Sequence, residues 1–177
     1  TVWWLLAEMY KKGLIYKGYT IQPYSPKAGT GLSSHELNQP GTYQDVTDTT
    51  AVAQFKAIKN TLPEMLQNIE GDVHFLAWTT TPWTLPSNTA LTVGKKIDYV
   101  LVKSFNQYTF EPINVILAKN LVGKQFTKKF FAVENEAQLI EYKENDKKIP
   151  YLIVNEFKGA DILEAKYEQL LPYTLPY

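Results

Sequence analysis

Apolar residues Val2, Trp3, Leu5, Leu6, Met9 and Tyr10 recur at helical spacing, and Gly13 follows two lysines as a stop. This pattern predicts an amphipathic helix over residues 2–12. From Gly18 to Val46 the chain is rich in Pro, Gly, Ser and Gln. Short extended pieces around 19–22 and 43–46 predict a two-stranded connecting ribbon there, without a core of its own. Ala51, Ala53, Phe55 and Ala57 then alternate with Val52, Gln54, Lys56 and Ile58, as in a strand. Residues 62–69 fit a short helix with Thr61 as N-cap and Pro63 in the first turn. Strands are expected at 73–80, 89–93 and 98–103, broken by Pro82, Pro86 and Gly94. The segment 114–121 fits a strand or a short helix equally well. Residues 134–145 are charged, and read as a helix or as a solvated surface insertion. A last strand, 151–157, ends at Gly159. Strands spaced in this way, with only short helices, predict an α+β, mainly β, barrel-like domain. Residues 1–46 form the expected helix and ribbon, and residues 47–177 the core.

Composition narrows the classes. The 177 residues suffice for one substantial domain, or a domain with an arm, and 45% hydrophobic with 20% charged residues is an ordinary globular balance. The twelve tyrosines and four tryptophans suit a tyrosine-rich β core, or surfaces on which a nucleotide stacks. Net charge is zero, and every basic residue is a lysine, which argues against a general nucleic-acid coat. Without cysteine there is no disulfide framework and no thiolate metal site. His35 and His74 are too far apart for a histidine-rich zinc site, and His74 reads as a hydrogen-bonded residue at the core edge. No apolar stretch approaches the roughly 20 residues of a membrane span. Nothing resembles a signal peptide, so the cytosol is the default location. Because the chain starts at Thr1, an excised fragment is expected.

The most distinctive chemistry lies in Trp78-Thr79-Thr80-Thr81-Pro82-Trp83-Thr84-Leu85-Pro86-Ser87-Asn88. The nearly continuous apolar run from Val73 to Trp78 reads as a strand buried on both faces. Pro82 cannot donate to a ladder and holds Thr81 extended, so the threonines carry the strand out of the core. Thr79 and Thr81 are then expected on one face and Thr80 on the other. Such a row of hydroxyls suits a small polar ligand. A plain strand and turn accounts equally for any one of these residues.

This run resembles the threonine-rich peptide in the editing domain of isoleucyl-tRNA synthetases, class I enzymes whose editing domain hydrolyses valine wrongly attached to the isoleucine tRNA. The valine and leucine enzymes carry Thr-Thr-Arg-Pro here; Thr81 stands at the arginine position and favours the isoleucine family. Gly13 to Tyr19, Pro23 to Pro26 and Thr30 to Glu36 resemble the connection from the catalytic domain into the editing insertion. Gly159-Ala160-Asp161 and Lys166 to Tyr173 resemble the family's Gly-x-x-Tyr-Glu-Pro-Leu segment, with Gln169 replacing the proline. The family's second site peptide, roughly Gly-Thr-Gly-x-x-His and then Ala-Pro and an aspartate, has no match. Gly29 to His35 has one residue too many and lies before the threonine-rich run. A core truncated at its C-terminal end, holding part of a site and weakly active or inactive alone, is therefore expected.

The resemblance implies a barrel-like editing domain with aminoacyl-tRNA deacylase activity and no side-chain nucleophile. Thr80 and Thr81 are the implied catalytic hydroxyls, serving the ester carbonyl and an attacking water. Thr79, Trp83 and Asn88 are the implied substrate contacts, Asn88 hydrogen-bonding the ribose or orienting the peptide. Trp78 and Trp83 serve as pocket wall or packing. No cofactor or metal is implied in this domain, since ATP serves the parent enzyme's separate synthetic site. The implied partners are the 3′ end of isoleucine tRNA carrying valine and the rest of the parent synthetase, with no membrane. The alternatives are a non-catalytic module that binds a tRNA end or a protein, and the editing domain of a valine enzyme.

Overall fold

A computed structural model describes residues 1–139, 142–143 and 146–173, in two compact units, Thr1–Thr47 and Asp48–Tyr177. In the first, α1 spans Val2–Lys11 and buries none of its residues. It ends where Gly13 takes φ +71°, a conformation glycine adopts at little cost, and donates to the Tyr10 carbonyl at 2.9 Å. Trp3 (85% exposed) and Tyr10 (68%) stand on its open surface.

The ribbon is present, but its strands are elsewhere than expected. β1 (Tyr24–Ser25) pairs antiparallel with β2 (Thr30–Gly31), and residues 19–22 and 43–46 are irregular. The turn decides this. The Ser25 hydroxyl accepts from Ala28 N at 3.2 Å, Gly29 N donates to the Ser25 carbonyl at 2.8 Å, and Gly29 takes φ +68°. A short helix follows, α2 (Ser34–Leu37), opened by a capping box between Ser33 and Glu36.

The second unit is an open, mixed sheet of six strands. These are β3 (Ala51–Lys56), β4 (Val73–Thr79), β5 (Asp98–Phe105), β6 (Pro112–Ala118), β7 (Phe130–Ala132) and β8 (Ile149–Lys158), in the order β3-β4-β6-β5-β8-β7. β4 with β6 and β7 with β8 are parallel, and the other neighbours antiparallel. The expected barrel is not formed: β3 and β7 are the ends of the sheet, and no pairing joins them among the described residues.

β5 runs through the middle, and Val100, Leu101 and Val102 are all buried. Leu101 faces one core with Phe55, Val73, Phe75, Ile116 and Phe157, closed by Leu62, Leu66 and Ile162. Val100 and Val102 face the other with Val115 and Leu117, beneath Val122 and Phe126 of the α4 region (α4, Val122–Gln125). Burial on both faces, expected of β4, thus belongs to β5. β4 buries Val73 and Phe75 on one face, leaves His74 and Leu76 half-covered and Trp78 exposed.

Three further expectations change. Residues 89–93 form no strand; Leu91 and Val93 pack on the first core without a ladder, which gives the alternation by burial alone. Thr61 closes a 3-10 turn, Lys59–Thr61, and Pro63 takes the cap position of α3 (Glu64–Gln67). The Thr61 hydroxyl instead donates to the Ile58 carbonyl and accepts from Lys166 N. Segment 112–121 resolves into β6 followed by a 3-10 turn at Lys119–Leu121. Among the described residues of 134–145, a 3-10 turn at Glu136–Gln138 is the helical part, and residues 140, 141, 144 and 145 lie outside the described ones.

Candidate functional site

β4 is held by β3 along its whole length, from Lys56↔His74 to Ala51↔Thr79. Its other edge meets β6 in only three pairs, ending at Phe75↔Ile116. Beyond that point the two parallel strands part. Leu76, Ala77 and Trp78 on one side and Leu117 and Ala118 on the other line a cleft of about 800 Å³. A crevice at the carboxyl ends of diverging parallel strands is where open sheets with parallel neighbours accept ligands. Its walls are mainly apolar, with Thr50, Thr92 and Lys124 among the polar exceptions.

The threonines continue β4 past Trp78. As expected, the side chains of Thr79 and Thr81 share a face: their hydroxyl oxygens lie 3.3 Å apart, and the Thr79 hydroxyl accepts from Thr81 N at 3.0 Å. Thr81 is less extended than expected, with φ −126° and ψ 65°. Its carbonyl is turned to accept from Thr84 N at 3.0 Å and from the Thr84 hydroxyl at 2.8 Å. The Thr81 and Thr84 hydroxyls are 3.4 Å apart, so three hydroxyls form a line along the strand end. Thr80 is exposed, and its side chain makes no hydrogen bond among the described residues.

Pro82 opens a 3-10 helix, Pro82–Ser87, which its fixed φ suits. Asn88 ends it, donating from N to the Leu85 carbonyl at 3.1 Å and from Nδ2 to the Ala90 carbonyl at 3.2 Å. Asn88 Oδ1 accepts from the Tyr167 phenol at 2.6 Å. Burial pushes the Tyr167 phenol above its ordinary value of 10.0. Asn88 and Tyr167 line a second cleft of about 470 Å³, which shares Leu91, Leu163, Ala165 and Tyr167 with the larger one.

The residues expected at the site therefore fall into two groups. Thr79 and Thr81 are joined directly through their hydroxyls. Asn88 sits on the smaller cleft, Trp78 (66% exposed) on the larger, and Thr79, Thr80, Thr81 and Trp83 line neither. Trp83 is 67% exposed. Two participants were not foreseen: Thr84, whose three-residue spacing from Thr81 is a turn signal, and Tyr167, which lies far away in sequence.

Outside the clefts, His74 is half-buried, and its Nδ1 is shielded without a hydrogen-bond partner among the described residues. Burial holds its pKa below 6.5, an effect that Asp72 partly offsets and Lys56 adds to. Among the described residues, no group of three His, Cys, Asp or Glu is placed to hold a metal ion, and no helix is long and apolar enough to cross a membrane.

The family model of class I tRNA synthetases, those for I, L, M and V, matches residues 1–148. The chain is 61% identical over 99% of its length to the isoleucine–tRNA ligase of Bacteroides thetaiotaomicron. It is 60% identical to that of Cytophaga hutchinsonii and 42% to that of Clostridium tetani, again over 99% of its length. It spans only 13% to 15% of the length of these curated relatives.

Proposed function

The chain belongs to the class I tRNA synthetases, and from that premise we propose that it supplies part of the editing site of an isoleucine–tRNA ligase, hydrolysing valine from misacylated isoleucine tRNA. The observation that carries this reading is the linked hydroxyls of Thr79, Thr81 and Thr84 where β4 ends, directly after Trp78, which lines an apolar cleft of about 800 Å³.

The need for such a site follows from size. An apolar pocket distinguishes side chains differing by one methylene by only about 1–3 kcal/mol, a general figure for which isoleucine enzymes are themselves the usual illustration. A second, hydrolytic pocket then removes the smaller amino acid. Thr80, exposed and with no side-chain hydrogen bond among the described residues, is available to bond the ester carbonyl or the attacking water. Thr81 offers the second hydroxyl. Thr79 supports both by accepting from the Thr81 amide. No side chain attacks the ester; positioned hydroxyls and backbone amides stabilise the charge that develops on its carbonyl oxygen.

Asn88 meets the terminal ribose, and the open indole faces of Trp78 and Trp83 offer stacking surfaces to bases at the tRNA end. With lysines only and zero net charge, this segment grips the end of the tRNA while the remainder is held elsewhere in the ligase. The reaction belongs in the cytoplasm, where charged tRNA is used.

The test is release of valine from valyl-tRNA(Ile) by an intact ligase bearing this sequence. Valine release with retention of isoleucyl-tRNA supports the reading. Equal stability of the two esters would refute it and leave a binding module.

A further inference from the structure

We infer that Tyr167 is a positioning residue for the editing reaction, acting through the side-chain amide of Asn88; this rests on the function proposed above. Tyr167 comes from a segment far along the chain, yet its phenol donates to Asn88 Oδ1 at 2.6 Å. Its ring is fixed independently of that bond. It packs edge-on against Phe55, with centroids 5.2 Å apart and planes at 73°, and Phe55 is almost wholly buried. Its backbone is fastened to the edge of the sheet: Tyr167 bridges Ala57, Ile58 N donates to the Lys166 carbonyl and Glu168 N to the Lys56 carbonyl, both at 2.8 Å. The phenol is thus a fixed point set by the sheet, and Asn88 is referred to it.

The consequence is chemical. An asparagine amide carries two N–H donors and an oxygen with two lone pairs. The phenol takes one lone pair and the Ala90 carbonyl takes one N–H, so oxygen and nitrogen cannot exchange places without breaking both bonds. One donor and one lone pair remain, the complement a ribose hydroxyl uses. Without the phenol, only the weaker contact to Ala90, at 3.2 Å, would then hold the amide among the described residues. The role inferred for the Tyr167 hydroxyl is to fix Asn88, the group that meets the ribose.

The test is a double-mutant cycle in an intact ligase bearing this sequence. Tyr167→Phe keeps the ring against Phe55 and deletes only the hydroxyl. Its valyl-tRNA deacylation rate should fall roughly five- to tenfold, the size expected for one hydrogen bond, with isoleucine activation unchanged. Asn88→Ala should fall at least as far, and the double variant no further than Asn88→Ala alone. In the 177-residue chain, Tyr167→Phe should also shift the NMR signals of the Asn88 side-chain amide, a readout that does not depend on activity. Losses that multiply in the double variant, or an unmoved Asn88 signal, would overturn the inference. Wild-type deacylation by Tyr167→Phe, in a ligase that Thr80→Ala with Thr81→Ala disables, would overturn it and leave the editing function standing. A ligase that releases no valine at all would remove the function and the role of Tyr167 with it.

Discussion

Gly159 lies so close to Gly94 that a Cβ at position 159 would collide with the Gly94 carbonyl, its carbon at 2.9 Å and the Tyr99 ring at 3.0 Å. The approach is locked by Gly159 N donating to the Ile97 carbonyl at 2.9 Å and Ala160 N to the Lys95 carbonyl at 3.1 Å. The glycine is needed here for space, since both obstacles to a side chain are close neighbours and one is backbone.

Gly159→Ala should therefore lower stability by roughly 1–3 kcal/mol, at the upper end because backbone yields less than a side chain. Urea unfolding followed by circular dichroism measures it. An unchanged midpoint would show that the loop before β5 moves aside freely.

Asn114, 8% exposed, donates from Nδ2 to the Glu70 carbonyl at 2.8 Å and the Asp72 carbonyl at 3.1 Å. It thereby clamps the turn at Gly71, φ +77°, from which β4 starts. Asn114→Ala should cost roughly 1–3 kcal/mol, two hydrogen bonds' worth. Asn114→Asp should cost more, because it sets a carboxylate against two carbonyl oxygens. Comparison of the two urea midpoints decides; an aspartate variant as stable as wild type would show that the clamp contributes nothing.

His74 makes stability depend on pH. Burial holds its pKa below 6.5 in the folded chain, so the unfolded chain binds a proton first as pH falls. Its contribution is complete above about pH 6.5 and is lost progressively as pH falls below that toward the folded pKa. The charged groups around it are Asp72, Lys56 and Glu168. His74→Gln should flatten the fall in urea midpoint between about pH 7 and pH 5. Parallel curves for the two proteins would exclude His74 as the source.

Replacing Thr80 and Thr81 together by alanine leaves the prolines and the β3–β4 pairing in place. Each lost hydrogen bond is worth about 0.5–1.5 kcal/mol, more where charge develops in the transition state. In an intact ligase, valyl-tRNA(Ile) hydrolysis should drop more than about tenfold while isoleucine-dependent exchange holds. A parallel fall in both rates would indicate unfolding, and a fall in neither would make the threonines structural.

What was legible depended on whether a segment's pattern had one cause. α1 follows its apolar periodicity, β5 lies where a strand was expected, and Gly13 ends α1 as its position implied. The pattern misled where burial came without pairing, as at Leu91 and Val93, or where a turn outweighed strand propensity, as at Ser25 to Gly29. Ser33 and Glu36 carried a readable capping signal for α2 that the strand reading of the ribbon obscured. β7 is too short to show a period beside its long partner. At the candidate site, the pairing of Thr79 with Thr81 followed from strand alternation alone. The bond from Tyr167 to Asn88 could not be read, because it depends on how the sheet returns the chain past its own edge.

The early parting of β4 from β6 gives one strand two kinds of backbone. Amides of β4 directed toward β3 are in a ladder to the end of the strand, and those on the β6 edge only as far as Phe75. Hydrogen exchange along β4 should accordingly be slow throughout on one edge and change from slow to fast on the other beyond Phe75. The threonines are thus carried on a strand tethered by a single seam, fixed in place while one edge of its peptide groups has no ladder partner in β6.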